Sequence, residues 1–482
     1  MSTQLIPEGA QALNAYDDKS FIKKEHSHQM WPNDPTCIAV FPAAQDRGTQ
    51  FEHFNVPRRE SHIATLPPTP LELFQLFLPI SLVEKWVHYT KIWISWLKAN
   101  EIVDSWKKPM GRTSRLRNWE GTYASEIYLF IAIMIYMGIH IEKKFETYWS
   151  SPQPGLQGTE HTFIKFMPYW KLQLIHRHLR PFDHTKIDET DVEHLPKVFQ
   201  GVEEWSDNIQ AVSAELFRPG STLAVDECMV RYTGKCDAKT TVKGKPDPVG
   251  FKIWVIAQQG FFLRWLWHIR DATYGTVGIE LAPKKLSTRS RAKAVGKELA
   301  KEEKPVALNP TQAVVIALAN LLPKATYHAF IDNLFSSSGL FRSLRNHGHG
   351  ATGTARKNCG IHKELANDKG NDGKVKKSYE FNKVKAIPTP DNKVNHIAWK
   401  DNKLVLFMTT VFTGADDERV ERQRRKPSSR KPEAKPIRQF FGDEVIKMVQ
   451  IPTVAAAYNE DSAPNSPDCR SGQGNTDARC GR

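Results

Sequence analysis

The segment "STLAVDECMVRY", residues 221–232, decides the fold class. Its residues have the period of two that is typical of a β-strand. A second segment, "HAFIDNLFSS" at 328–337, is an apolar strand that ends in a carboxylate and a group of serines. The two strands thus carry Asp226 and Asp332, and burying a carboxylate without a partner is costly.

The elements around these two strands follow the order of a mixed α/β domain. Two strands joined by a tight turn are predicted in "GFKIWVIAQQGFFLRWLWHIRD" at 250–271, and an apolar helix in "PTQAVVIALANLLP" at 310–323. Another helix follows Asp332, with its N-cap predicted at Ser336 and its end at Gly348. Further strands are predicted in "GATGTARK", "KVNHIAWK" and "KLVLFMTT". This order is typical of a ribonuclease H-like core.

The region upstream of this core is predicted to be mainly helical. Residues 70–215 contain several segments with apolar residues three and four positions apart. The uncharged run "IYLFIAIMIYMGI" at 127–139 is shorter than the roughly 20 residues that cross a bilayer. We therefore predict a helix buried on all sides and no membrane partner. Residues 1–65 show neither helical nor strand-like periodicity and are expected to form a flexible arm.

The charge of the chain favours a polyanionic partner. The 482 residues carry a formal net charge of +14, which suits nucleic acid. The segment 419–438 holds nine Lys or Arg against two Glu, and it is either a solvated linker or a nuclear-import or nucleic-acid-contacting segment. The six cysteines form no CxxC pair, which argues against a zinc module and a disulfide framework.

Two neighbouring carboxylates would suit metal-dependent chemistry on nucleic acid. At a separation of about 4 Å they repel by roughly 4 kcal/mol at an effective dielectric of 20, and a divalent cation between them removes the conflict. Such acids hold Mg²⁺ in phosphoryl-transfer enzymes. Two other interpretations stay open from the residues alone: Asp332 as a turn former or helix cap, and Asp226 as an exposed acid on an edge strand.

Four ordered segments resemble the piggyBac transposase family. The segment 224–256 is similar to its first catalytic block, with Asp then Glu on a strand and later Lys-Pro and Gly-Phe-Lys. The segment 330–358 is similar to the second block, with Asp-Asn before an aromatic residue and Gly-Thr-x-Arg downstream. Segments 396–410 and 126–149 resemble a later strand pair and the amino-terminal helical block. The likeness extends over roughly 70–459.

This resemblance implies a fold, a reaction and partners. The fold would be a ribonuclease H-like DDE transposase core with a β-rich insertion, preceded by a mainly helical domain. The reaction would be cut-and-paste DNA transposition in the nucleus, with Mg²⁺ at a two-ion site. Asp226 and Asp332 match the first two members of the acidic triad, so both would be catalytic residues and metal ligands. The partners would be double-stranded DNA, as transposon ends and target, and a second copy in a homodimer.

The third acid of the triad is not found in its expected context. In the family it follows a Tyr-Asn pair within a Gly-Val-Asp-like sequence, but here Tyr458 and Asn459 precede a small, polar tail that is predicted to be disordered. Asp461 and Asp468 lie nearby in a different context. The triad is therefore expected to be incomplete, and a truncated or frame-shifted gene is the hypothesis that explains it.

The expected function is that of a DNA-binding protein derived from a piggyBac transposable element. Two alternatives stay open, namely an active DDE transposase with a substitute third acid, and a non-catalytic dimerising module, so enzymatic activity is left open. The expected domains are a flexible arm at 1–65, a helical dimerisation and DNA-binding region at 66–215, and a catalytic core at 216–415. A basic linker at 416–440 and a core remnant with a disordered tail at 441–482 complete the chain.

Overall fold

Two compact units divide the chain in the computed structural model. The helical unit runs from Thr65 to Val212, and the sheet unit contains the described residues up to Ala64 and from Ser213 onward. The structure describes residues 36–37, 48, 50–104, 107–150, 161–188, 197–269, 306–372, 379–415, 418–431 and 434–461. The basic loop at 284–298 and the tail beyond Asp461 lie outside the described residues.

The helical unit is built from α-helices and short 3₁₀ turns. The α-helices are α1 (Pro70–Phe77), α2 (Ile80–Ala99), α3 (Ala124–Ile139), α4 (Tyr169–His178) and α5 (Lys197–Leu216), whose last residues belong to the sheet unit. The 3₁₀ turns are Arg115–Asn118, Phe145–Trp149, Thr162–Lys165 and His184–Lys186. A capping box between Thr69 and Glu72 fixes the start of α1.

Helix α3 is buried on one face only, so the prediction that it is buried on all sides is wrong. Ile127, Phe130 and Ile133 lie in the core, whereas Ile135 and Ile139 are 49% and 71% exposed. The buried positions recur every three to four residues, as on one stripe of a helix. A helix that is apolar all round gives no sequence signal for which stripe packs. Among the described helices, none combines the length and the apolar character needed to span a bilayer.

A sheet of nine strands forms the centre of the sheet unit among the described residues. These strands are β4 (Thr222–Arg231), β5 (Thr240–Thr241), β6 (Val249–Gln258), β7 (Phe261–Trp267), β9 (His328–Ile331), β10 (Gly350–Thr354), β11 (Val384–Pro388), β12 (Asn395–Lys400) and β13 (Leu404–Thr409). The strand order is β11-β12-β13-β10-β9-β4-β6-β5, with β7 also paired to β6. Strands β4, β9 and β10 are parallel neighbours, and the other pairs are antiparallel.

Helices and a further strand pair complete the sheet unit. The helices are α6 (Pro310–Asn320), α7 (Ser338–Asn346), α8 (Lys363–Asn371), α9 (Lys435–Phe441) and α10 (Thr453–Asp461). Every residue of α6 from Ala313 to Ala319 is buried. Strands β1 (Thr36–Cys37) and β8 (Val306–Ala307) form a separate pair. The predicted order of strands and helices after Gly220 is therefore present, and Trp254 is a core residue.

The basic segment is an ordered part of the sheet unit, which corrects the prediction of a linker at 416–440. Strand β14 (Arg419–Arg425) pairs antiparallel with β15 (Ile446–Pro452), and α9 lies between them in the chain. Arg424 binds Asp401 and Arg422 binds Glu460. Long-range ion pairs therefore neutralise part of a charge run that looks solvated in the sequence.

Residues 50–64 are likewise held on the sheet unit, which corrects this part of the predicted flexible arm. Strand β2 (His62–Ile63) pairs with β3 (Phe217–Arg218). The guanidinium of Arg59 donates to the carbonyl of Gly220 at 3.0 Å and lies 5.0 Å from the Tyr327 ring centroid. Residues 1–35 lie outside the described part of the chain.

Buried histidines make the sheet unit sensitive to acid. His328 is hydrogen-bonded to Thr352 at 2.8 Å, and burial lowers the pKa of His328 to about 3. Burial, with Arg342 nearby, lowers the pKa of His396 to about 3 as well. The unfolded chain therefore binds protons that the native state excludes, and stability is lost as the pH falls below the ordinary histidine pKa of about 6.5.

We expect the His328→Gln variant to have a flatter pH dependence of unfolding than the unsubstituted chain. Linkage assigns to this one histidine a loss of about 2 kcal/mol at about pH 5. The measurement is the free energy of urea unfolding between pH 5 and 7.5. The matched control is His88→Gln, at an exposed histidine, which keeps the original slope. Equal slopes in both variants would contradict the prediction.

Candidate active site

The register of two parallel strands places Asp226 and Asp332 side by side. In the pairing of β4 with β9, Val225 lies opposite Ile331; Asp226 is the next residue on β4, and Asp332 directly follows the end of β9. Strand β4 has β9 on one side and β6 on the other, so Asp226 does not lie on a sheet edge. Burial raises the pKa of Asp226, and the negative charges of Asp332 and Glu227 raise it further.

Asp332 presents its carboxylate at the start of a tight turn. The Asn333 amide donates to the Asp332 carboxylate, and the amides of Phe335 and Ser336 donate to the Asp332 carbonyl at 3.1 and 3.3 Å. Helix α7 is capped instead by Ser337, which accepts from the Leu340 amide at 3.1 Å. The N-cap is therefore one residue later than the predicted Ser336. Asp332 forms the turn without capping the helix.

A hydrogen bond connects two of the sequence motifs next to this turn. Arg356, from the Gly-Thr-x-Arg motif, donates to the side chain of Asn333 at 2.7 Å. In the same motif, a Cβ on Gly353 would come within 2.6 Å of the Ile331 carbonyl oxygen, so only glycine fits this close approach of the strands. These contacts fix the position of the turn that carries Asp332.

Two lysines bring positive charge to the acids on β4. Lys252 forms an ion pair with Glu227, and its ammonium lies 3.9 Å from the Trp254 ring centroid. Lys245 donates to the Glu227 carbonyl at 3.3 Å, and its charge opposes the rise in the pKa of Asp226. Burial is the largest cause of the shift and outweighs Lys245, so the pKa of Asp226 stays raised.

A third segment of the chain contacts the site through Tyr458. Thr354 lies between the two groups: its hydroxyl is 3.4 Å from the Asp332 carboxylate, to which it donates, and 3.4 Å from the Tyr458 hydroxyl. Tyr458 is on α10, which directly follows β15. The Tyr-Asn motif singled out in the sequence is therefore close to the two acids.

The donor set fits one divalent cation better than two. Two neighbouring carboxylates are oxygen ligands of the kind that Mg²⁺ takes together with water. Within the described ranges, no group of three or more His, Cys, Asp or Glu side chains is placed to hold a metal. The side chain of Asp461 and the whole of Asp468 lie outside the described residues.

Sequence reasoning singled out the two aspartates, which the structure places next to each other, but missed their polar neighbours. Lys245 and Lys252 were noted only as parts of the Lys-Pro and Gly-Phe-Lys motifs, with no role assigned to them. Thr354 was not singled out. The Lys-Pro motif drew attention to Lys245 in the sequence. Its contact with Glu227 on β4 depends on the path of the loop between β4 and β6, which the sequence does not specify. The Thr354 contact depends on the parallel pairing of β10 with β9.

Three comparisons place the chain among known proteins. A family model described as Transposase IS4 matches residues 69–460. Human PiggyBac transposable element-derived protein 3 is 23% identical in an alignment over 433 residues that covers 85% of this chain and 61% of the relative. The human Chimeric ERCC6-PGBD3 protein is also 23% identical in an alignment over 433 residues that covers 85% of this chain and 34% of that protein. The chain thus matches less than two thirds of either relative.

A solved structure shares the fold. It is a cryo-EM structure of a piggyBac transposase synaptic complex with hairpin DNA, with a TM-score of 0.51 at 16% sequence identity. The alignment covers 85% of this chain and 69% of that one. It confirms the predicted ribonuclease H-like architecture with a preceding helical domain. The family match and the human relatives confirm the predicted transposase ancestry, and the chain belongs to the piggyBac-type transposase family.

Proposed function

We propose that this chain is a DNA-binding protein, descended from a cut-and-paste transposase, whose two-carboxylate site holds a single divalent cation. The observation that carries the proposal is the position of Asp226 and Asp332, each directly after one member of the pair Val225 and Ile331 on adjacent parallel strands. Family membership supports the same assignment, since these acids match the first two members of the family's triad. On this proposal Asp226 and Asp332 are the metal ligands and the catalytic residues that remain.

Mg²⁺ is the cation that this donor set suits. Asp226 and Asp332 would hold it, and when bound it would supply activation of water and stabilisation of a leaving oxygen in phosphodiester cleavage. A second ion would need a further carboxylate. Lys245 reduces the charge of the pair, so the chain tolerates the two acids before a cation binds.

Double-stranded DNA is the proposed partner. The net charge of +14 supports this choice, and so does the DNA in the complex of the piggyBac transposase that shares the fold. Arg430 and Lys431 are exposed between β14 and α9, Lys435 is exposed at the start of α9, and all three are available to phosphates. The same basic segment would serve nuclear import. Dimerisation and part of the DNA contact are proposed for the helical region at 66–215.

Two alternatives define what the activity test must separate. An active DDE transposase would need a substitute acid such as Asp461 or Asp468, and a non-catalytic dimerising module would not need DNA. We favour a protein that binds DNA with little or no strand-transfer activity. The incomplete set of acids among the described residues supports this choice.

The proposed metal site predicts that the two acids bind Mn²⁺, which replaces Mg²⁺ and can be detected by spectroscopy. We expect Mn²⁺ to raise the thermal unfolding midpoint of the unsubstituted chain, since a ligand at about 100 times its Kd stabilises by about 2.7 kcal/mol. Binding should also reduce the electron paramagnetic resonance signal of free Mn²⁺. Asp226→Asn and Asp332→Asn should abolish both the rise in the unfolding midpoint and this loss of signal. Asp237→Asn, at an exposed acid nearby, is the control.

In EDTA, where no metal is bound, Asp226→Asn should be more stable than the unsubstituted chain. Because the pKa of Asp226 is raised in the native state, its ionised form destabilises the fold above that pKa. Asp226→Asn should therefore melt higher than the unsubstituted chain at pH 7.5, and the difference should shrink as the pH falls toward the pKa of Asp226. A variant that melts lower in EDTA, yet still responds to Mn²⁺, would refute the proposed site.

The second prediction concerns DNA binding. Fluorescence anisotropy with a labelled duplex should show an affinity that falls steeply as salt rises. Arg430→Ala/Lys431→Ala should reduce the salt slope by about 2, since each phosphate contact contributes about 0.9. The charge-preserving exchange Arg430→Lys/Lys431→Arg is the matched control and should keep the slope. Duplex binding that does not change with salt would exclude phosphate contact as the source of affinity.

The third prediction concerns catalysis. Protein incubated with Mg²⁺ and DNA that ends in the cognate terminal repeats should leave the DNA intact. Nicking that disappears in Asp226→Asn, and also in Asp461→Asn or Asp468→Asn, would instead establish an active enzyme with a substitute acid. Nicking that survives Asp226→Asn would identify a contaminating nuclease.

A further inference from the structure

A basic and aromatic cavity lies within the helical unit, whereas the two carboxylates belong to the sheet unit. Its volume is about 870 Å³, and its lining residues fall between Val103 and His178, the last residue of α4. A cavity of this size is in the range of small-ligand sites, which is about 300–1,000 Å³. The cavity is therefore large enough for a ligand of the size of a nucleotide.

The rim of the cavity is positively charged. Lys108, Arg115 and Arg177 line it, and none of the described residues that line it is an Asp or a Glu. Lys108 and Arg115 are exposed, so their charges face solvent at the mouth. Arg177 also binds Asp104 at 2.8 Å, which holds its guanidinium in place. The rim therefore suits an anionic ligand with more than one charge.

One wall of the cavity is aromatic. Phe145, Tyr169 and Trp170 line it, and the ring centroids of Phe145 and Tyr169 are 6.1 Å apart. Trp170 is 44% exposed, although it is a large apolar residue. Aromatic rings next to cations are the combination on which unpaired bases stack while their phosphates are neutralised.

A neutral polar group lies deeper in the cavity. His178 is 3% exposed and lines the cavity. Burial, together with Arg177 and Arg180, lowers the pKa of His178 to about 4, so its imidazole is uncharged at neutral pH. A neutral imidazole has one donor and one acceptor nitrogen, which suits the polar edge of a base.

We propose that this cavity binds an unpaired nucleotide of single-stranded DNA, with its base against Trp170 and Tyr169 and its phosphates at Lys108 and Arg115. The inference rests on the proposed DNA binding and adds a second, distinct mode of contact. A paired duplex buries its base faces in its own stack, so it offers phosphates to the rim but no base to the wall. Phosphate alone would satisfy the cations and leave the aromatic wall unused.

The test compares three labelled probes by fluorescence anisotropy on the full chain: a single-stranded oligothymidylate, an abasic strand of the same length, and a blunt duplex. We expect Trp170→Ala to weaken binding of the oligothymidylate by about tenfold or more, since base stacking on one aromatic residue has this size. Binding of the abasic strand and of the duplex should change little. Arg115→Ala should weaken both single-stranded probes.

Matched variants control for folding and for general charge. Phe166→Ala removes an aromatic residue that is 70% exposed and does not line the cavity, and Arg112→Ala removes an exposed arginine of the same loop. Both should bind all probes normally, and circular dichroism should show that every variant is folded. Equal losses in Trp170→Ala and Phe166→Ala, or an abasic strand that binds as tightly as oligothymidylate, would overturn the inference.

The two proposals fail in different ways. The proposed function fails if the unsubstituted chain does not bind the duplex in a salt-dependent manner. The cavity proposal fails if duplex binding is normal but single-stranded binding does not depend on Trp170. A phosphoserine peptide that displaces the oligothymidylate from the unsubstituted chain at equal concentration would also overturn it, since such a ligand has phosphate but no base.

Discussion

The register between β4 and β9 is the constraint on which the carboxylate site depends. Leu223 and Val225 on one strand and Ala329 and Ile331 on the other belong to the same buried core. Because side chains alternate along a strand, a shift of one residue would move these apolar groups out of that core. Hydrophobic burial therefore fixes the pairing, and the pairing places two like charges next to each other.

The repulsion that results is reduced but not removed by the protein itself. Lys252 pairs with Glu227, and Lys245 offsets part of the charge at Asp226. Arg356, through Asn333, and the turn after Asp332 hold the second acid in position. Carboxylates with perturbed pKa values, such as Asp226, cluster at functional sites.

The sequence predicted the strands and the two acids because their signals are local. Period-two alternation and an apolar run that ends in Asp332 are properties of short segments. The errors have the opposite cause. Helix α3 is apolar on every face, so only tertiary packing selects the stripe that contains Ile127. Strand β14 is rich in arginine, and it is ordered because β15 and acids such as Asp401 bind it from distant positions. The polar neighbours of the site depend on the same long-range pairing.

Apolar packing, and not a charged group, positions α10 next to the carboxylate site. Val454, Ala455 and Ala456 are buried in one cluster with Trp399 and Phe407, so apolar contacts hold this helix against the sheet. Tyr458 then reaches Thr354 next to Asp332. None of these contacts requires a carboxylate on α10. The packing of this segment is therefore independent of any third acid.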